Sequence, residues 1–149
     1  MSLADYKAGH SFERHALEIS AEFTERYRAA VAGIASDEHV EEGERVPPMA
    51  LAAAALGKLI AELGLGAGTI HAGQEVEFIR PVKVGERMYA VAEIASNAVR
   101  RSSRFTTIRT EIRDVDGHAV ATAVSSVIVP EPAGAGAQSA GSGERVSGN

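Results

Sequence analysis

The chain of 149 residues contains no cysteine and no tryptophan, and aromatic residues make up only 5% of it. Without cysteine it has no disulfide framework, no thiolate nucleophile and no thiolate metal ligand. Its five histidines form no His-x-x-x-His pair, so the sequence predicts no metal site. No apolar run approaches the ~18 residues that a membrane-spanning helix needs. The charged N-terminus lacks an apolar signal core, so we expect a cytoplasmic protein with no membrane partner.

The chain also lacks a surplus of basic residues. The chain has 15 Lys and Arg against 20 Asp and Glu, a net charge of −5. Nucleic-acid-binding proteins need cations to neutralise phosphates, so no nucleic-acid partner is expected. There is no G-x-G-x-x-G and no P-loop behind a strand, so we expect no cofactor. A hydrophobic content of 45% and a charged content of 23% are typical of globular domains.

The end of the chain differs in composition from the rest. From residue 131 to 149 it is rich in Gly, Ala and Ser and has no hydrophobic periodicity. We interpret this segment as a disordered tail that follows a single domain of residues 1–130.

Two helices are predicted in the first half of the domain. The first spans Ser20–Ala32 between a Ser20 cap and Gly33, with an apolar face at helical spacing: Phe23, Tyr27, Ala30 and Val31. The second spans Pro47–Leu63 and begins with proline in its first turn. Because it is apolar nearly all round, with only Lys58 and Glu62 charged, we expect it to be buried.

The second half of the domain is predicted to be strands. They are Gln74–Phe78, Met88–Ser96, Arg104–Asp114 and His118–Val129, with a polar connection over Asn97–Ser103 and a further short strand within Ser11–Glu18. Asp116-Gly117 predicts a tight hairpin. In the last strand, alternation separates Val120 from Ala121 on opposite faces. The pattern indicates an α+β domain with an antiparallel sheet.

One segment resembles a known family. Residues His71–Glu86 read HAGQEVEFIRPVKVGE and are similar to the segment H-x-x-Q-x-x-x-x-x-R-P-x-x-x-G-D/E of MaoC-like acyl dehydratases. The Pro-Pro pair before the second helix resembles the N-terminal half of the fungal fatty-acid-synthase-type dehydratase branch. The resemblance covers about residues 12–130. It implies the hot-dog fold, in which a curved antiparallel sheet wraps one long central helix.

The resemblance also implies a reaction. Catalytic members of this family interconvert a trans-2-enoyl thioester, on coenzyme A or acyl carrier protein, with the (R)-3-hydroxyacyl thioester. They use the Asp and the His of a D-x-N-x-x-H motif that precedes the central helix. Asp and His near one water can divide the roles of general base and general acid. Backbone N–H groups at a helix N-terminus can stabilise the charge that develops on the thioester oxygen.

The chain departs from this motif at its most important positions. Asp37 matches the motif's Asp, but His39 occupies the Asn position and Glu42 occupies the His position. Either His39 and Glu42 rebuild the acid–base pair, or the pair is lost. We predict Asp37 and His39 as the catalytic residues and Glu42 as a weaker candidate. The alternative for all three is a solvated acidic loop.

Other candidates lie on the predicted strands and their connections. His71 and Glu75 are weaker catalytic candidates, and either could instead be structural. For substrate binding we predict four arginines that could contact the phosphates of coenzyme A or an acidic carrier protein: Arg80, Arg100, Arg101 and Arg104. The alternative for Arg80 is an ion pair with an acid, and for the other three an exposed basic turn.

The leading hypothesis is a MaoC-like hydro-lyase, or a related biosynthetic lyase or cyclase, acting on acyl-CoA or an acyl-carrier-protein thioester. A second hypothesis is a non-catalytic hot-dog subunit whose partner bears the intact motif. A third is a hot-dog thioesterase in which Asp37 or Glu42 activates water, and a non-thioester substrate also stays open. In this superfamily the acyl tunnel lies between two hot dogs. The resemblance therefore implies a homodimer, or a heteromer with another hot-dog subunit.

Overall fold

The computed structural model describes residues 2–33 and 39–131. The catalytic candidate Asp37 and the predicted tail from residue 132 onward lie outside the described residues. After a 3-10 turn at Leu3–Asp5, the regular elements are β1 (His15–Glu18), α1 (Ala21–Ala32), α2 (Pro48–Leu63), β2 (Ile70–Phe78), β3 (Arg87–Arg100), β4 (Ser103–Asp114) and β5 (Ala119–Pro130).

The strands form one antiparallel sheet in the order β1-β3-β4-β5-β2. Alternate residues of β4 face the core, and the predicted face is buried: Thr106, Ile108, Thr110 and Ile112. The sheet packs against α2, whose Ala50, Leu51, Ala55, Leu59 and Leu63 meet buried residues of β3, β4 and β5 in two hydrophobic clusters. A sheet that packs on one long helix is the predicted hot-dog arrangement, which is confirmed.

The two helices begin and end where local signals place them. At the start of α1 the Ser20 hydroxyl accepts a hydrogen bond from the Phe23 N–H, and Gly33 ends the helix in the left-handed conformation at φ 70°. Phe23 and Tyr27 pack against the core. The predicted apolar face is nevertheless wrong at its far end, because Val31 is 70% exposed.

Helix α2 is buried on one face, so the expectation of burial all round is wrong. Met49 is 46% exposed and Ile60 41% exposed. The physical reason is that one sheet can cover only one side of a helix. Strand β2, which forms one edge of the sheet, is also open, with Ile70 57% exposed and Phe78 39% exposed. The chain therefore presents an apolar helix face and an apolar strand edge.

The predicted connection over Asn97–Ser103 is wrong. Strand β3 continues to Arg100, and the hairpin needs only two residues, with Arg101 at φ 57°. The polar residues stay in the strand because Asn97 pairs with Thr106 of β4 and its side-chain amide donates to the Leu3 and Tyr6 carbonyls. A polar side chain that is fully hydrogen-bonded is compatible with a strand.

The predicted separation of Val120 from Ala121 is also wrong, since both are buried. Ile112 pairs with Ala121 and Arg113 with Ala119, so Val120 is the extra residue of a bulge. The turn at Asp116-Gly117 is confirmed, with Gly117 at φ 86°. Of the helices in the described residues, none has both the length and the hydrophobicity needed to span a bilayer.

Candidate active site

A cavity of about 460 Å³ opens where α2 begins. Its wall is mostly apolar and includes Pro48 and Leu51 from the start of α2 and Phe78 at the end of β2. Three arginines from separate segments also line it: Arg28, Arg45 and Arg80. An apolar pocket with a few convergent polar groups is the usual form of a small-molecule site.

Among its described residues, the loop that contains the predicted catalytic candidates lines this cavity with Arg45 and Val46, and not with His39 or Glu42. Its described part pairs with the turn of the family-like segment: Val46 N–H donates to the Val82 carbonyl at 2.9 Å, and Val84 N–H donates to the Glu44 carbonyl at 2.8 Å. Val40, where the family motif has proline, is buried in the core. The described part of the loop is therefore held at residue 40 by burial and at residues 44–46 by strand-like pairing.

Glu25 of α1 holds the start of the described loop. Its carboxylate oxygen Oε1 accepts a hydrogen bond from the Val40 N–H at 2.8 Å and lies 3.7 Å from Nδ1 of His39. The His39 ring is 95% exposed, and the Glu25 carboxylate is its one ion-pair contact within the described residues.

The other loop candidate, Glu42, packs over a glycine. Its Oε1 lies 2.9 Å from the position that a Cβ on Gly85 would occupy, and Gly85 adopts φ 93°. Glycine is favoured here by the left-handed backbone, whereas the Glu42 carboxylate is the end of a flexible side chain that can shift. The structure therefore places Glu42 against the turn of the family-like segment.

Arg80, predicted to bind substrate, is held by two carboxylates. Its Nη1 donates to Glu86 at 3.1 Å and its Nη2 to Asp114 at 3.2 Å. These hydrogen bonds, first to Glu86 and then to Asp114, raise the pKa of the guanidinium above its usual range. Arg80 joins the family-like turn to the β4–β5 hairpin across 34 positions of sequence.

The Asp114 carboxyl is the centre of the β4–β5 hairpin. Desolvation raises its pKa, but hydrogen bonds from the His118 N–H, the Arg80 guanidinium and the Asp116 N–H lower it by more, so its pKa lies below the ordinary 3.8. Asp114, Asp116 and His118 are also the one group of possible metal ligands within the described ranges. The bonds to Asp114 account for its geometry without an ion.

His71 and Glu75 lie on opposite faces of β2. His71 pairs with the buried Val127, and Glu75 pairs with Val124 after a bulge near Gly73. His71 lines a second cavity of about 270 Å³ beside the C-terminal half of α2, whereas Glu75 lines a depression on the outer face of the sheet. The two residues therefore cannot act on one substrate atom within this protomer.

The arginine cluster predicted near residue 100 is divided in the structure. Arg100 and Arg101 are exposed at the β3–β4 hairpin. Arg104 lies on the core side of β4, bonded to Glu131 and, at 3.1 Å, to Asn97. Its side chain is only 13% exposed.

Sequence reasoning did not select Glu25, Arg28 or Arg45. The spacing of Glu25 and Arg28, three residues apart on α1, places both on one helix face and is a usable signal. Nothing local, however, indicates that this face meets the segment before α2.

The fold is that of a hot-dog protein, with a cavity at the start of its central helix. The sequence profile of the FAS1-like, dehydratase domain region matches residues 7–123, which is most of the chain. The chain belongs to this family.

Individual similar proteins include one curated relative and two solved structures that share the fold. A UPF0336 protein of Saccharopolyspora erythraea is 34% identical over 68 residues, 45% of this chain and 44% of that protein, so the match spans less than half of the relative. The (R)-hydratase from A. caviae involved in PHA biosynthesis is 25% identical, with a TM-score of 0.64 over 85% of this chain and 98% of that one. The HadBC (3R-hydroxyacyl-ACP dehydratase) complex of Mycobacterium tuberculosis is similar in fold, with 19% identity and a TM-score of 0.60 over 83% of this chain and 97% of that one.

Proposed function

We propose that this protein is a hydro-lyase that interconverts an enoyl thioester and a 3-hydroxyacyl thioester. The observation that carries the proposal is the cavity at the start of α2, lined by Arg45 and Val46 at the end of the predicted catalytic loop, in a chain of the dehydratase family. The likeness to an (R)-hydratase supports the same reaction class. The acyl carrier, coenzyme A or a carrier protein, follows by analogy with this class.

In the proposed reaction Asp37 and His39 act on one water. In hydration the water oxygen bonds to C3 of the enoyl group, one group of the pair takes the water's proton, and the other delivers a proton to C2. The thioester oxygen carries the charge in between. The Met49 N–H in the first turn of α2 is suited to stabilise it, since Pro48 has no N–H and the Ala50 N–H donates to the Pro47 carbonyl. Glu25 serves as the residue that positions His39.

A non-catalytic subunit is the second candidate. Glu42 stands where the motif has its His, and the similar HadBC structure is a complex. The exposed apolar side chains of α2 and of the β2 edge support a paired assembly in either case: Met49, Ile60, Ile70, Phe78 and Ile79. Edge strands of this kind bind a second strand readily. We therefore propose a homodimer or a heteromer with another hot-dog subunit.

The remaining candidate residues have narrower roles in this proposal. His71 lines the second cavity beside α2, where the far end of an acyl chain fits. Arg100 and Arg101 are exposed and available to an acidic carrier surface. We also propose that residues 1–130 form the single domain and that the following residues are an appended tail.

The test measures hydration of crotonyl-CoA, and of a longer enoyl-CoA, by the purified protein, with its oligomeric state determined by light scattering in the same buffer. Losing a general acid or base typically costs ~10²–10⁴-fold in rate. Asp37→Asn and His39→Ala should each lower kcat by at least about two orders of magnitude. The double variant should be little worse than either single one, because both residues act on one water. Glu41→Gln, at an exposed position of the same loop, is the matched control and should retain full activity.

Two results would contradict this assignment. Full activity of the double variant would place the chemistry on other residues of the cavity. Activity that appears only with a partner bearing D-x-N-x-x-H, and that does not respond to Asp37→Asn, would establish the non-catalytic subunit instead.

A further inference from the structure

We propose that Arg28 and Arg45 form the anion-binding rim of the cavity at the start of α2 and bind the phosphate of a phosphopantetheine arm. This inference rests on the proposed function, since it names the part of the thioester substrate that the rim recognises.

The two arginines reach the cavity from different parts of the chain. Arg28 lies on the last turns of α1, and Arg45 lies in the loop immediately before α2. The backbone of Arg45 is fixed by a bridge to Lys83, so its side chain starts from a defined position. Both side chains line the same cavity, although 17 residues separate them in sequence.

Within residues 2–33 and 39–131, neither guanidinium group has partners for all of its donors. In the described residues Arg28 has a single ion-pair contact, from Nη1 to Glu44 Oε2 at 3.5 Å, the outer limit of a hydrogen bond. No carboxylate of residues 2–33 or 39–131 lies within 4.0 Å of the Arg45 guanidinium. A guanidinium has five N–H donors in a fork that matches phosphate oxygens.

The other arginines are less suited to this role. Arg80 lines the same cavity but is held by Glu86 and Asp114. Arg104 is bonded to Glu131. Arg100 and Arg101 lie at the opposite end of β4 from Asp114, and a strand of 12 residues is about 35–40 Å long. The hairpin arginines are therefore remote from the cavity mouth.

The cavity and its rim match the two ends of one ligand. The wall formed by Leu51 and Phe78 is apolar and suits an acyl chain. The two arginines at the rim suit a phosphate. A phosphopantetheine thioester fits both features, because it carries an acyl chain at one end and a phosphate at the other. Because coenzyme A and acyl carrier proteins share this arm, the phosphate is the chemistry that the rim recognises in both.

The experiment compares binding with and without the phosphate. Calorimetry on the full-length protein measures Kd for coenzyme A, 4′-phosphopantetheine, pantetheine and a phosphopantetheinylated carrier protein. Arg28→Gln and Arg45→Gln should each weaken binding of 4′-phosphopantetheine about tenfold, the effect of one charge-assisted hydrogen bond. Binding of pantetheine should be unchanged. Arg26→Gln, an exposed position on the same helix, is the matched control and should change neither Kd. Arg45→Lys, which keeps the charge, should restore part of the loss.

The measurements with coenzyme A and with the loaded carrier protein distinguish the two sources of the phosphopantetheine phosphate. If the arginine variants weaken binding of coenzyme A but not of the loaded carrier protein, the rim recognises the free coenzyme. If they weaken binding of the loaded carrier protein only, the rim recognises the protein-bound arm. Equal losses for pantetheine and phosphopantetheine overturn the proposal, and so does an absence of wild-type binding to every phosphate-bearing ligand. Arginine-dependent binding in a protein without hydratase activity would refute the proposed function and leave the anion rim standing. Hydratase activity in the wild type, with KM unchanged in Arg28→Gln and Arg45→Gln, would support the proposed function and refute the anion-binding rim.

Discussion

Asn97 connects the N-terminal segment to two strands through a single side chain. Its Nδ2 donates to the Leu3 carbonyl at 2.7 Å and to the Tyr6 carbonyl at 2.8 Å. Its Oδ1 accepts from Arg104 at 3.1 Å and from the Thr106 hydroxyl at 3.2 Å. Replacing it with alanine removes four hydrogen bonds at once.

The expected cost follows from which partners are left unsatisfied. Thr106 is 2% exposed, so its hydroxyl cannot turn to water. An unsatisfied buried polar group costs about 1–3 kcal/mol, whereas partners that reach water lose far less. The cost of leaving the Leu3 and Tyr6 carbonyls without their donor lies between these two values. Asn97→Ala should therefore lower the free energy of unfolding by about 2–4 kcal/mol.

The measurement is urea denaturation at fixed protein concentration, since assembly alters apparent stability. In a thermal scan the same loss corresponds to a fall of about 8–15 °C in Tm. Thr106→Val completes a double-mutant cycle. In the wild type it should cost about 1 kcal/mol, and in the Asn97→Ala background it should cost almost nothing, because the hydroxyl has already lost its acceptor. A cost below about 0.5 kcal/mol for Asn97→Ala, or additive effects in the cycle, would refute the reasoning.

Two further predictions concern the hairpin carboxyl and the end of the domain. Because the pKa of Asp114 is below 3.8 in the folded protein, its contribution to stability is complete above that pH and is lost as the pH falls through the lower, folded-state value. The stability difference between wild type and Asp114→Asn should therefore shrink below about pH 4, with Asp116→Asn as control; a difference that grows in acid would contradict the sign. Deleting residues 134–149 should leave Tm unchanged, because the removed sequence has little apolar surface to bury. Deleting from residue 131 should lower Tm, because Glu131 pairs with Arg104, and equal Tm values for the two truncations would show that this pair contributes nothing.

Much of the fold was predictable because its signals are local. The Ser20 cap, the Gly33 stop and the Asp116-Gly117 turn each depend on a few neighbouring residues, and each is found where the sequence indicates. Alternation along β4 identified the buried face correctly for the same reason. The family-like segment also lies within 16 contiguous residues, His71–Glu86.

The errors arise where one local pattern meets another part of the chain. The bulge that buries Val120 comes from the register between β4 and β5, which neither strand specifies alone. The exposed side of α2 looks like core in sequence, because an apolar residue is the same whether its own sheet or a partner subunit covers it.

The candidate site divides in the same way. The sequence by itself determined the hot-dog class, the position of the loop before the central helix and its departure from the D-x-N-x-x-H motif. Only the tertiary structure decided which arginines of the cavity are paired with carboxylates of the described residues. Arg80 meets Asp114 across 34 positions, while Arg28 and Arg45 converge from separate segments. The physical reason is that charge is a property of one residue, whereas the availability of that charge depends on which distant carboxylates the fold brings within hydrogen-bonding distance.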